Sequence, residues 1–199
     1  MPLAREDLGL VCATAMSVLF LSGADSAAQQ PPSDRMAAWA TALGVECAHC
    51  HVPGDWSSSS RPTFEFARRM MRMVDGLNAG PLEGVGGITC WTCHRGRTIP
   101  ARLPRDAWQE VQARHGDEFR AAPDRALTMS VYAASLGVEC EFCHEPDRAA
   151  PGTPAKAMVT RMLAVIDLIP TYFDATRRPT TQCFLCHQGE RRPRREPSG

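Results

Sequence analysis

Eight of the nine cysteines fall into four short groups of one form: CAHCH (Cys47, Cys50, His51), CWTCH (Cys90, Cys93, His94), CEFCH (Cys140, Cys143, His144) and CFLCH (Cys183, Cys186, His187). Two thiols three residues apart with an imidazole immediately after them is the spacing for covalent attachment of haem c. The thiols reach the two vinyl groups on one edge of a porphyrin as thioethers, and the adjoining histidine turns onto the iron. Pairs of C-x-x-C also build zinc sites, and a lone C-x-x-C serves as a redox disulfide. Four pairs out of four followed at once by histidine favour haem, one at each motif. His49 lies inside the first motif and is a bystander, because its neighbour His51 holds the ligand position.

The elements that must position these groups repeat along the chain. Cys47 and Cys140 are 93 residues apart, as are Cys90 and Cys183, Pro53 and Pro146, and Gly96 and Gly189. A fixed period of this kind marks duplication of a structural unit, here a unit with two attachment sites. Residues 29–126 form the first such diheme module with a linker, and residues 127–190 form the second.

The same offset points to sixth iron ligands. Met36 and Met129 lie 93 residues apart, each 11 residues before the first cysteine of its module. Met36, Ala40, Leu43 and Cys47 follow the helical period, as do Met129, Ala133, Leu136 and Cys140. Gly44 and Gly137 then stand where a helix end wants a left-handed residue, so each LGV is a helix end followed by an extended step into the motif. For the second haem of each module, the segments RRMMRMVD and TRMLAVID pair Met70 with Met162 at an offset of 92. Pro62 and Pro154 suit the opening turns of these helices, and Pro170 is expected to stop the second. Met71 and Met73 compete with Met70. Methionine also fills irregular core gaps, but positions matched by the repeat favour ligation. His115, outside all four motifs, is the one imidazole alternative.

Around this unit the sequence is plain. Residues 1–28 have the layout of a secretory signal peptide, with a short charged start, an apolar run from Leu8 to Leu21 and small residues up to Ala28. That run is too short to span a bilayer comfortably; an uncleaved anchor is the alternative. Export places the protein in the periplasm, at or near the outer face of the inner membrane. Beyond residue 28 the chain holds 21 Lys and Arg against 19 Asp and Glu, so no nucleic-acid partner is expected. All basic residues except Lys156 are arginine or histidine, and arginine is the better bidentate partner for the propionates of a haem. Arg68, Arg69, Arg95, Arg97 and Arg161 lie beside the haem elements. A short helix is expected at Asp106 to Arg114, Trp56 is a candidate to lie over a haem, and residues 191–199 are a basic tail expected to be disordered.

A haem held on both faces by protein ligands has no open position for substrate, so the expected role is electron transfer and not catalysis. Methionine ligation favours the reduced state relative to two histidines. The competing class is a multihaem reductase or peroxidase, which needs one exchangeable site.

The motif order M-x10-C-x-x-C-H at Met36 and Met129, ARRMMRMVDGLN leading to GITCWTCHRGRTIP, and LGVECEFCH with CFLCHQG resembles the tetrahaem cytochrome c subunit of photosynthetic reaction centres. The resemblance implies a mostly α fold with little sheet, two tandem diheme modules related by a pseudo-twofold, and haems in a row. It implies re-reduction of the photo-oxidised special pair, with electron donor and acceptor proteins, including reaction-centre membrane subunits, as partners. A stand-alone respiratory electron carrier is the alternative within the same pattern. By resemblance Met36, Met70 and Met129 take the sixth positions of the first three haems. The family's histidine for the fourth is missing from Asn78 to Thr89, which leaves Met162 as the choice and His115 second.

Overall fold

Helix α1 (Asp34–Leu43) ends where the sequence demands it. Gly44 adopts a left-handed φ of 64°, its N–H donates to Thr41 O (3.2 Å), and the Val45 N–H donates to Ala40 O (3.1 Å). This is the paired hydrogen bonding of a glycine-terminated helix. Glu46 is then extended, and the first cysteine opens a 3-10 turn, Cys47–His49. The same sequence of events ends α5 (Pro123–Leu136): Gly137 has φ 63°, Val138 N–H donates to Ala133 O (3.1 Å), and Cys140–Phe142 forms the 3-10 turn. The methionine helix and the attachment turn are therefore separate elements joined by three residues, the first a left-handed glycine and the last an extended glutamate.

The computed structural model describes residues 34–115, 123–147, 150–173 and 182–198. The expected signal peptide and part of the linker lie outside these. Between α1 and α5 come α2 (Pro62–Ala79), α3 (Cys90–His94) and α4 (Arg105–Arg114); α6 (Pro154–Leu168) and α7 (Phe184–His187) follow. Pro62 and Pro154 occupy the first turns of α2 and α6, where a missing N–H costs nothing. Pro170 does not stop the coil outright. The α-helix ends at Leu168 and the chain tightens into a 3-10 turn, Ile169–Tyr172, that contains the proline. Among the described residues the β-type pairing is one isolated bridge, Val52 with Asp55, so the fold is mostly helical with no sheet.

The core sits between α2 and α6. Met73, Leu77 and Leu82 pack with Val165, Ile169 and Phe173, and Met70, Met162 and Phe66 flank them. Gly76 lets this layer close, because a Cβ there would collide with the Tyr172 hydroxyl. The smaller helices attach by contact with one another: α1 packs on α3, α5 on α4 and α7, and α3 on α7.

Two of these contacts are the same contact made twice. Gly96 N–H donates to Ala42 O (2.8 Å) and Gly189 N–H to Ser135 O (2.9 Å), an offset of 93 at both ends. Gly44 and Gly137 each lie so close to the carbonyl of Gly96 or Gly189 that no side chain fits. Residues of the basic tail, expected to be disordered, lie in the structure against the loop before α3. Thr89 Oγ1 donates to Arg195 O (2.7 Å) and Arg195 Nη2 to Val85 O (3.3 Å), in space left open by Gly86.

Candidate haem sites

Each motif places its histidine one helical turn after its first cysteine. The backbone N–H of His51 donates to Cys47 O, His144 to Cys140 O and His187 to Cys183 O, at 3.0 to 3.1 Å, while Cys90–His94 is itself helical. The loop into α3 is held by Asn78, whose amide donates to Ile88 O (3.0 Å) and accepts from Ile88 N–H (2.7 Å). Thr89 and Thr92 then cap the short helix reciprocally.

The imidazoles of His51, His94 and His187 are each oriented by a backbone carbonyl. His51 Nδ1 contacts Trp56 O (2.8 Å), His94 Nδ1 contacts Arg97 O (2.8 Å) and His187 Nδ1 contacts Glu190 O (2.9 Å). A carbonyl only accepts, so Nδ1 carries the proton and Nε2 keeps its lone pair. That is the tautomer a metal ligand needs, fixed by the outer hydrogen bond. Burial lowers the pKa of His94 and of His187, which keeps both neutral. The His51 ring is also packed edge-on by Trp56 and Phe64, so Trp56 lies by the histidine of the first motif.

The structure joins none of the motif cysteines in a disulfide. Burial raises the pKa of Cys50, Cys90, Cys143 and Cys183. Cys93 rises furthest, first because its sulfur faces that of Cys186 at 2.7 Å and then because it is buried. Among the described residues no three His, Cys, Asp or Glu side chains converge on one point, whereas a structural zinc site takes four ligands.

A cavity of about 590 Å³ lies between α2, α6 and the second and fourth motifs. Cys93, His94, Cys183, Cys186 and His187 line it together with Met70 and Met162, on walls that are otherwise mainly apolar. Of the competitors to Met70, Met73 also reaches this wall but is a buried core residue, and Met71 does not reach it. Met36 on α1 is 42% exposed, and Met129 on α5 is half-buried. The residues fit haem on this showing: apolar walls, thiols and a neutral imidazole on one turn, and Nε2 free. Trp91 Nε1 within α3 and Arg95 Nε at its C-terminal end are buried donors without a partner, as groups facing an acidic ligand would be.

His115 stands elsewhere. It follows α4 with Nε2 3.4 Å from Glu139 Oε2, and Arg114 meets the same carboxylate at 3.3 Å. Glu139 precedes Cys140, so the motif beside His115 is the third. Of the arginines expected to meet propionates, Arg68 pairs with Glu65 (3.5 Å), and Arg161 donates to Pro81 O (2.6 Å) and Glu83 O. Arg95 reaches into the other repeat, donating to Cys186 O and His187 O, both at 3.2 Å. Its counterpart 93 residues on, Gln188, donates to Cys93 O (3.1 Å). Motif reading misses this reciprocal pair; the offset of 93 marks Arg95 and Gln188 as equivalent positions, and only the packed structure shows each reaching into the other half.

The sequence profile of the photosynthetic reaction centre cytochrome C subunit matches residues 32–136, more than half of the chain. The chain belongs to this family. The match runs from just before α1 to the end of α5, so the third and fourth motifs lie beyond it and rest on the internal repeat. The family brings covalently bound haem c with it. Curated relatives include the photosynthetic reaction center cytochrome c subunit of Thermochromatium tepidum, 43% identical over 56 residues, which is 27% of this chain and 14% of that protein. The subunit of the same name from Roseobacter denitrificans is 23% identical over 226 aligned positions, 74% of this chain and 60% of that one. The chain thus spans less than two thirds of the length of either relative. Among its described residues no helix is long and apolar enough to cross a membrane.

Proposed function

We propose that this protein is a periplasmic tetrahaem c-type cytochrome that passes electrons, in the manner of the subunit that re-reduces the special pair of a photosynthetic reaction centre. The observation that carries the reading is the recurrence, 93 residues apart, of a whole attachment unit. His94 and His187 each direct Nδ1 to the carbonyl three residues on. Arg95 and Gln188 each turn left-handed at φ 46° and 48°, and Gly96 and Gly189 each bond back to the methionine helix of their own half.

On this reading the chain is two tandem diheme modules related by a local twofold. Its axis passes near the Cys93 and Cys186 sulfurs, because a contact between a residue and its own equivalent belongs on such an axis. Haem supplies reversible one-electron chemistry when bound. The four Cys pairs would hold it, with His51, His94, His144 and His187 as the motif ligands to iron and Met36, Met70, Met129 and Met162 as the second ligands. The apolar walls between α2 and α6 exclude water, and the two second sites share one cavity, so the transfer between modules runs there.

The test is to produce the protein with haem-attachment machinery, weigh it denatured, titrate it, and mix it with photo-oxidised reaction centres. Four covalent haems, four one-electron steps and oxidation of the cytochrome after a flash support the reading. Fewer haems sink the tetrahaem part. Four closed haems that reduce a respiratory acceptor but not the special pair make it a stand-alone carrier. Stoichiometric carbon monoxide binding to one haem makes it an enzyme.

A further inference from the structure

The two halves meet through one pair of side chains that the repeat makes equivalent and the sequence makes unlike. Arg95 and Gln188 both follow the proximal histidine of a second motif and both adopt left-handed backbone. Each reaches across to the other half: Gln188 Nε2 to Cys93 O, Arg95 Nη2 to Cys186 O and His187 O. The arginine side chain is only 14% exposed. The interface therefore holds a cation aimed at one second site and a neutral amide aimed at the other.

The charges around Arg95 do not cancel it. Glu190 Oε1 lies 3.5 Å from Arg95 Nη1, but the same carboxylate meets Arg194 at 2.7 Å, so the three groups together carry one positive charge. In the first half the residue equivalent to Glu190 is Arg97, which is exposed and so screened by solvent. Charge on a group with little solvent around it acts over longer distance than charge at the surface.

The geometry points to Arg95 as a potential-setting residue of the fourth site, Cys183, Cys186 and His187, favouring its reduction more than that of the second site, Cys90, Cys93 and His94. Reduction of a site takes up one electron from an external one-electron donor and lowers the local charge by one. A fixed cation beside that site favours the reduced state. Arg95 thereby biases the step between the two halves toward the fourth site, which a symmetric duplicate would leave unbiased. The inference rests on the tetrahaem reading above.

The repeat supplies its own controls. Arg95→Gln makes the pair symmetric, Arg95→Lys keeps the charge, and Gln188→Arg places a cation on the other side. Potentials are titrated in a Cys183→Ala background, where one unreacted vinyl group moves the absorption of the fourth haem to longer wavelength and labels it. Arg95→Gln is expected to make reduction of the labelled component at least tenfold less favourable, about 59 mV for a one-electron couple. The other components move less, and Arg95→Lys restores most of the loss. Gln188→Arg is expected to raise an unlabelled component, an effect that loss of packing does not produce. A labelled component that stays put in Arg95→Gln, or that moves no more than the others, overturns the proposal while leaving four haems in place. A denatured mass of the unaltered protein short of four haems overturns the tetrahaem reading, and the proposal with it.

Discussion

Replacing Gly44 by alanine tests whether the helix that carries Met36 is locked to the second attachment turn. Gly44 has φ 64°, and a Cβ there would drive into the carbonyl of Gly96. A left-handed non-glycine residue costs roughly 1–2 kcal/mol. Relieving the collision also pulls Gly96 N–H away from Ala42 O, a 2.8 Å hydrogen bond of the kind worth about 0.5–1.5 kcal/mol. The sum is about 1.5–3.5 kcal/mol, or roughly 3–14 °C in melting temperature for a chain of this size. Gly54→Ala separates the two contributions, since Gly54 has φ 85° with nothing near its missing Cβ and should lose only about 1–2 kcal/mol. Gly137→Ala, which meets the Gly189 carbonyl, should match Gly44→Ala. The assay is thermal unfolding of the haem-loaded protein, followed by circular dichroism, for all three variants. Equal loss in Gly44→Ala and Gly54→Ala would refute the reasoning, because the close approach to Gly96 would then contribute nothing.

Met129→Ala should open one haem to carbon monoxide and lower one of the four potentials; an unchanged titration with no gas binding removes Met129 from the ligand set. Met162→Ala should do the same at the fourth site while His115→Ala leaves that site closed, since His115 stands beside Glu139 and the third motif. The opposite pattern in binding spectra would assign His115. The Glu190 carboxyl is held below the usual carboxylate range, first by the hydrogen bond from Arg194 and then by the charges of Arg194 and Arg95. A depressed folded value means its stabilisation is present above the ordinary carboxylate range and fades as pH falls through the lower one. Glu190→Gln should flatten that acid-side decline, by a small amount because the pair is exposed; denaturation curves between neutral and acid pH that superimpose on those of the unaltered protein count against it.

The sequence by itself determined everything that depends on neighbours a few residues apart. The C-x-x-C-H spacing sets two thiols and an imidazole on one turn, Gly44 and Gly137 stop their helices because only glycine accepts that φ freely, and Pro62 and Pro154 open theirs. The offset of 93 exposed the duplication. Tertiary structure alone decided what lies 78 to 110 residues apart. It brought Met70 and Met162 to one cavity, gave Arg161 to the carbonyls of Pro81 and Glu83 and Arg195 to that of Val85, and set Arg95 and Gln188 across the halves. The physical reason is range. A left-handed turn or a helix stop is a property of one residue's backbone, whereas the partner of a guanidinium is whichever carbonyl the packed core leaves within reach.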